Sequence, residues 1–279
     1  MLLSELIARG TAAFEAAEIE SSRADAELIV AFVLGISRGE LQAKAITGEQ
    51  IADTSAIEAL FARRAAREPL QHLTGEAYFR NLTLKVGKGV FVPRPETELL
   101  ASLAIDAAKE FTNPVVIDLC AGSGAVGIAI ATELPSATVF AVEKSEDAFK
   151  YAEENYKKLA PNATVILGDA ADAFQELNGK AQVLVSNPPY IPAAMVPIYP
   201  EVALHDPALA LYSGDDGLDL IRVISKRGQE LLVPGGTIAL EHADMQSEAV
   251  VQLLLNDGWR EVFDHKDFNG RPRAVTAKK

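Results

Sequence analysis

Hydrophobic positions along this chain follow two different periods. Over the first 70 or so residues they recur at helical spacing, as Leu3, Leu6, Ile7 and Phe14, then Leu28, Ile29, Phe32 and Val33, then Ile57, Leu60 and Phe61. Gly35 is placed to cap the second stripe at its C-terminal end, and Ser22, three residues before Asp25, to cap it at the N-terminal end. The third helix, about 54–67, stops before Pro69. From about 70 to 92 the pattern shortens to Ala77-Tyr78-Phe79 and Leu82-Thr83-Leu84-Lys85-Val86 around Arg80-Asn81, which predicts a β-hairpin. From Pro93 onward strands (115–118, 138–142, 164–167, 183–186, 237–241) alternate with helices (near 96–111, 124–133, 145–158, 217–232, 245–256). Such alternation predicts an α/β fold, a mainly parallel sheet with helices on both faces. Runs at 260–263 and 273–276 are expected to form a terminal hairpin at its edge. The expected division is a helical domain over 1–75, a hairpin linker over 76–92 and an α/β domain over 93–279.

Composition narrows the partners. The 279 residues are 49% hydrophobic and 23% charged, an ordinary globular balance that argues against extensive disorder. Acidic residues number 39 against 26 basic, a net charge of −13, which repels a phosphate backbone and favours a basic protein partner. Stable nucleic-acid binding is therefore not expected. Cys120 is the only cysteine, so no intrachain disulfide or cysteine-rich zinc site is available, as suits a reducing cytoplasm. The histidines His72, His205, His242 and His265 show no metal-ligand spacing. No basic segment precedes an apolar core at the N-terminus, and no run of about 18 apolar residues occurs. The expectation is a soluble, cytoplasmic protein with no metal and no membrane segment.

Candidate chemistry gathers at the predicted strand ends, where open α/β sheets bind ligands. After Val115-Val116-Ile117 come Asp118, Leu119, Cys120, Ala121, Gly122, Ser123 and Gly124, a glycine turn that lets backbone approach a ligand closely. It lacks both a full Gly-x-Gly-x-x-Gly fingerprint and a Gly-Lys-Ser/Thr phosphate loop, which disfavours a diphosphate cofactor. Glu143 ends the second strand about 20 residues on, the spacing at which an acid accepts from ribose hydroxyls. Asp169 and Ala170 follow the third strand, where a short acid can accept from an adenine amino group. Asn187-Pro188-Pro189-Tyr190 ends the fourth. Two prolines fix the backbone and lack N–H groups, making the Asn187 carboxamide and the Pro188 carbonyl rigid acceptors for a planar NH₂ group. Each acid alone is better read as a solvated loop carboxylate. Together the four strand ends suit a nucleoside without a phosphate chain, with S-adenosylmethionine as the candidate cofactor.

An Asp-Leu-x-x-Gly-x-Gly turn, a strand-ending acid and Asn-Pro-Pro-Tyr together resemble a class I S-adenosylmethionine-dependent methyltransferase. Glu68-Pro69-Leu70-Gln71-His72-Leu73-Thr74-Gly75 and Phe91-Val92-Pro93-Arg94-Pro95-Glu96-Thr97-Glu98 resemble the release-factor glutamine methyltransferases of the PrmC/HemK type. The likeness continues through Glu201-Val202, Asp206-Pro207, Gly214-x-Asp216-Gly217-Leu218-Asp219, Gly235-Gly236 and Asn269-Gly270-Arg271-Pro272-Arg273, spanning essentially the whole chain. Cys120 and Ala121 stand where that family usually has Gly and Thr, Glu143 where Asp is common, and Ala243 after Glu241-His242 where Gly is usual. The resemblance implies transfer of a methyl group to the glutamine of the Gly-Gly-Gln motif in peptide-chain release factors. It also implies that Phe91, Arg94, Glu96 and Thr97 help hold that glutamine, and that the helical domain recognises the protein substrate. By sequence alone, Pro95 with Glu96 and Glu98 equally reads as an ordinary helix start.

In this reading Asn187 and Pro188 orient the amide and Tyr190 stacks on it, with no strong general base. Two alternatives stay open. A nucleic-acid adenine N6 methyltransferase shares the turn and the acceptors but needs a basic groove, for which Arg271, Arg273, Lys278 and Lys279 form the best cluster. A non-catalytic protein docking on translation factors is the other, and the intact Asn-Pro-Pro-Tyr counts against it.

Overall fold

The helical stripes of the first block fold as α1 (Leu3–Ala16), α2 (Ser22–Leu34), α3 (Arg38–Ile46), α4 (Ser55–Ala65) and α5 (Leu70–Thr74) in the computed structural model, which describes residues 1–279. Leu6, Phe14, Ile29, Leu41 and Ile57 are fully buried among these helices, and Phe14 meets Phe61 edge-on at 5.4 Å between ring centroids. Gly35 caps α2 with a left-handed φ of 66°, its N–H donating to Phe32 O, as its position predicts. The N-terminal cap falls elsewhere than expected. Ser21 occupies it, whereas Ser22 is the first helical residue and turns its hydroxyl back to the Ile19 carbonyl. Ser21 stands four residues before Asp25 and makes no side-chain capping bond, so the Ser-x-x-Asp spacing points one residue too far along.

By contacts the chain forms two units, Met1–Glu76 with Pro197–His205, and Ala77–Val196 with Asp206–Lys279. Within the first, the buried Arg64 donates to Asp25 Oδ2 at 2.7 Å and to Glu201 Oε1 at 3.0 Å, and Arg67 reaches Glu201 Oε2 at 2.9 Å. Pairing of this kind offsets the cost of burying a guanidinium.

The second unit opens with the hairpin β1 (Glu76–Phe79) and β2 (Leu82–Lys85). Then follow α6 (Thr97–Ala108), β3 (Val115–Leu119), α7 (Ala125–Glu133), β4 (Thr138–Glu143), α8 (Glu146–Leu159), β5 (Thr164–Leu167) and β6 (Ala181–Ser186). After the short α9 (Pro200–His205), which belongs to the first unit, come α10 (Asp219–Leu231), β7 (Leu232–Glu241), α11 (Ser247–Asn256), β8 (Arg260–Lys266) and β9 (Pro272–Lys278). One seven-stranded sheet runs in the order β5-β4-β3-β6-β7-β9-β8. The first five strands are parallel and β9 and β8 are antiparallel, giving the mainly parallel α/β fold and the terminal edge hairpin expected from sequence.

Continuous apolar strands are explained by burial on both faces. Val116, Val183 and Val185 pack with α6, α7 and α8, while Ile117, Leu119 and Leu184 pack with α10, α11 and Trp259. Among the boundaries that differ from the sequence pattern, two have a clear local cause. α6 begins at Thr97 because Arg94 to Leu99 first make a tight turn of three-residue hydrogen bonds, with Pro95 ahead of the helix rather than inside it. β7 starts five residues early, at Leu232, because Pro234-Gly235-Gly236 forms a bulge within the strand; its pairing with β6 shifts register there.

Gly127 in α7 marks one of the tightest approaches. A Cβ there would lie 2.0 Å from the Tyr156 hydroxyl and 3.0 Å from Asp118 Oδ2, and Tyr156 is only 2% exposed. Gly127→Ala should therefore lower the unfolding free energy by roughly 1–3 kcal/mol in denaturant titration. An unchanged midpoint would show that α7 can move off Tyr156 without cost.

Candidate active site

Strand register brings the predicted residues to one edge. Leu119 pairs with Val142 and with Ser186, Val142 pairs with Ile166, and Ser186 pairs with Leu240. One residue further along each strand therefore stand Cys120, Glu143, Leu167, Asn187 and Glu241. The chain runs outward from β3 through β4 to β5 and returns as β6 on the other side, so the gap between β3 and β6 is the sheet's switch point.

The glycine turn after β3 is held from three sides. Glu143 accepts the Gly122 N–H on Oε2 at 2.7 Å and the Ser145 N–H on Oε1 at 2.7 Å. Asn155 Nδ2 donates to the Ser123 carbonyl at 2.9 Å, and Ala121 N donates to Val142 O at 3.0 Å. Asp118 lies beneath the turn and accepts the Gly127 N–H at 2.9 Å, so its carboxylate supports the start of α7 from below. Cys120 adopts a left-handed φ of 67°, a conformation that favours glycine and costs other residues about 1–2 kcal/mol. Burial pushes its thiol up, which leaves it protonated and unreactive. Gly122 has open space where a side chain would begin, so the turn offers backbone directly to a ligand. The Lys144 side chain draws Asp169 down from the usual carboxylate range through a 2.8 Å ion pair, and Asp169 Oδ1 accepts the Ala171 N–H. Ala170 is buried against the core. With carboxylates, open backbone and no phosphate loop, this edge fits a nucleoside donor better than a diphosphate.

The acceptor side is equally constrained. Asn187 Nδ2 donates to Thr97 Oγ1 at 3.2 Å, so its Oδ1 is the end left to accept from a ligand. Pro188 is buried and Pro189 half-buried. The Tyr190 hydroxyl donates to Glu241 Oε1 at 3.2 Å, and its carbonyl accepts from Gln246 Nε2 at 2.8 Å. Gly217 packs against that same carbonyl with φ 79°; a Cβ there would lie 2.2 Å from it. Arg94 stacks over the Phe91 ring at 4.9 Å and donates to Asp206 Oδ2 at 2.8 Å. Thr97 and Glu96 stand by Glu241, which feels the Thr97 hydroxyl and the Glu96 charge. Phe91, Arg94 and Glu96 thus sit on the segment leading into Thr97, but only Thr97 has a direct bond to Asn187.

Glu241 and Gln246 are functional candidates that the strand-end argument passed over. Glu241 is signalled by the same rule that selected Glu143, an acid ending a parallel strand. Gln246 has no comparable signal, because its partner is a distant backbone carbonyl.

Comparison with known proteins agrees with this geometry. A family model described as the PrmC N-terminal domain matches residues 5–75, and a methyltransferase small domain matches residues 81–196. The release factor glutamine methyltransferase of Streptomyces coelicolor is 46% identical over 100% of this chain and 98% of its own length. That of Mycolicibacterium smegmatis is 43% identical over 99% and 97%. The chain belongs to the release factor glutamine methyltransferase family. It is a methyltransferase that acts on protein glutamine, built on the class I methyltransferase fold. Among solved structures, a release-factor-specific protein-(glutamine-N5) methyltransferase from Alicyclobacillus acidocaldarius is 26% identical, with TM-score 0.44 over 67% of this chain and 94% of that one.

Buried acids give the site a pH signature. Burial pushes Asp118 up to about 7 from its ordinary 3.8, against the opposing Gly127 N–H bond. Between those values the native chain keeps a proton that the unfolded chain has released. That contribution to stability is complete below the ordinary value and is lost as pH rises through 7. Asp118→Asn retains an acceptor for Gly127 and cannot titrate. It should reduce the fall in melting midpoint between about pH 5 and 8 and raise the midpoint at pH 8 by about 2–4 °C. A slope identical to that of the unsubstituted protein would contradict this.

Proposed function

We propose that this enzyme transfers the methyl group of S-adenosylmethionine to the N5 side-chain amide of the glutamine in the Gly-Gly-Gln motif of peptide-chain release factors. The observation that carries the reading is the Asn187–Thr97 hydrogen bond, which turns the Asn187 oxygen into a fixed acceptor next to the rigid Pro188 carbonyl. A glutamine amide is a weak nucleophile because its nitrogen lone pair is delocalised into the carbonyl. Orientation must therefore supply much of the rate.

When bound, S-adenosylmethionine supplies an electrophilic methyl on a sulfonium. The Cys120 to Gly124 turn and Glu143 are the residues to hold it, with Asp169 and Ala170 at the adenine end and Asp118 supporting the turn. Asn187 Oδ1 and the Pro188 carbonyl accept the two amide N–H bonds and stabilise positive charge as it develops on nitrogen. Pro189 keeps the backbone extended, and Tyr190, tied at both its hydroxyl and its carbonyl, forms a wall over the planar amide that excludes water. The proton leaves an acidified nitrogen, so no strong base is needed. Phe91, Arg94, Glu96 and Thr97 line the approach of the peptide.

The helical domain, 1–75, is the natural reader of the protein substrate away from the reacting amide. Such a substrate places the reaction in the cytoplasm. A net charge of −13 favours a basic protein acceptor over duplex nucleic acid, which leaves adenine N6 methylation the weaker reading, and the preserved acceptor geometry disfavours a purely docking role.

Labelled S-adenosylmethionine offered to a release factor, its Gln-to-Ala variant and duplex DNA should label the unmodified factor alone; label in DNA would overturn the reading. Asn187→Ala should lower turnover on the factor about 100-fold, with donor affinity changed no more than a few-fold. Near-normal turnover in that variant would exclude Asn187 as the amide clamp.

A further inference from the structure

Glu241 ends β7 one strand away from Asn187, on the same row of strand ends, and is only 2% exposed. Its Oε1 accepts from the Tyr190 hydroxyl, its buried Oε2 has no hydrogen-bond partner, and the Thr97 hydroxyl stands near enough to favour its ionised form. Thr97 in turn accepts from Asn187 Nδ2. A threonine hydroxyl carries a single proton. If that proton goes to an ionised carboxylate, which can only accept, the oxygen is left to accept from Asn187. The side-chain amide must then point its NH₂ at Thr97 and its oxygen the other way.

We propose that Glu241 is a positioning residue for methyl transfer, its ionised carboxylate fixing the direction of the Thr97 hydroxyl and thereby the orientation of the Asn187 amide, while anchoring Tyr190. This rests on the assignment of Asn187 as the clamp for the substrate amide. Protonation of Glu241 reverses the logic. The carboxyl becomes a donor to Thr97, the Thr97 proton turns to Asn187, and Asn187 then favours presenting its oxygen inward and its NH₂ to the substrate, where two sets of N–H groups oppose each other.

Glu241 is placed to make that change in the working range. Burial pushes it up to about 7 from its ordinary 4.5, opposed by the Thr97 hydroxyl, the Arg273 charge on β9 and the Tyr190 hydroxyl, and assisted by Glu96 ahead of α6. The adjacent His242 is directed elsewhere, to Asp264 Oδ1 at 3.0 Å.

The test measures turnover on a release factor between about pH 5.5 and 9 for the unsubstituted enzyme, Glu241→Gln, Asn187→Ala and their double variant, with donor affinity and melting midpoint recorded for each. Glutamine keeps the shape of Glu241 and offers Thr97 a permanent donor. We expect the unsubstituted enzyme to lose kcat on the acid side, and Glu241→Gln to show kcat about 10- to 100-fold lower at pH 8 with that acid limb gone and donor affinity within twofold. The double variant should lose no more than Asn187→Ala alone. Retained kcat in Glu241→Gln, a surviving acid limb, an effect confined to KM, or additive losses would overturn the proposal. Should Glu241→Gln fail to fold, Thr97→Val removes the link instead and should give the same loss and the same flat profile; normal kcat there would also overturn it. The two readings separate cleanly: if Asn187→Ala is itself active the clamp assignment fails, whereas if only Glu241→Gln is active the clamp stands and the positioning role fails.

Discussion

The site depends on the register in which β3 pairs with β6. Leu119 opposite Ser186 puts the glycine turn and Asn-Pro-Pro-Tyr side by side at the only point where the parallel sheet changes direction, and the Ser186 hydroxyl donates to the Leu119 carbonyl across the pair. Burial on both faces makes that register hard to change. A slip by one residue would exchange Val183 and Val185 with Leu184 between two differently shaped cores, one packed by Ala101, Ala104 and Ala129, the other by Trp259 and Ile221. The helices therefore do more than cover the sheet. They fix which donor-side backbone meets which acceptor-side amide.

A second constraint is the use of buried carboxylates to hold functional backbone and side chains still. Asp118 fixes the start of α7, Glu143 ties the glycine turn to the start of α8, and Glu241 anchors Tyr190. Each is costly to bury and is matched by N–H or O–H donors in a low-dielectric setting, where such bonds are strong. In the proposed reaction the surfaces that meet ligands are backbone atoms and one neutral amide, held by acids that lie a layer deeper. That arrangement suits chemistry limited by orientation, since the groups proposed to accept the substrate's N–H bonds have little freedom to reorganise.

The fold was largely legible in the sequence because each strand of the α/β block is a short apolar run closed by glycine, an acid or asparagine, and because Gly35 and Pro69 punctuate the helical block. Ser22 misled because its spacing to Asp25 points one residue past the cap position at Ser21. The early start of β7 was hidden by Pro234-Gly235-Gly236, which reads as a turn but is tolerated inside the strand as a bulge. At the site, strand-end spacing singled out Asp118 with its glycine turn, Glu143, Asp169 and Asn187; all but Asp118 lie where the chain emerges from the sheet, while Asp118 is buried beneath the turn. It did not reveal that Glu143 accepts the turn's own Gly122 N–H, nor that Asp118 faces downward toward Gly127. Those depend on side-chain direction, which one-dimensional spacing does not encode. Thr97 entered through its neighbours in a family-like segment; its bond to Asn187 spans 90 positions and is a product of tertiary structure alone.

In the proposed reaction one sheet edge presents a methyl donor to a glutamine amide clamped by Asn187 and Pro188. A crystal structure of the enzyme with the demethylated donor and a glutamine-bearing release-factor fragment tests it most directly. The nucleoside is expected against the Cys120 to Gly124 turn and Glu143, with the glutamine nitrogen within about 3.2 Å of both Asn187 Oδ1 and the Pro188 carbonyl. A glutamine seated away from those two oxygens, or a nucleoside bound at another edge of the sheet, would contradict it.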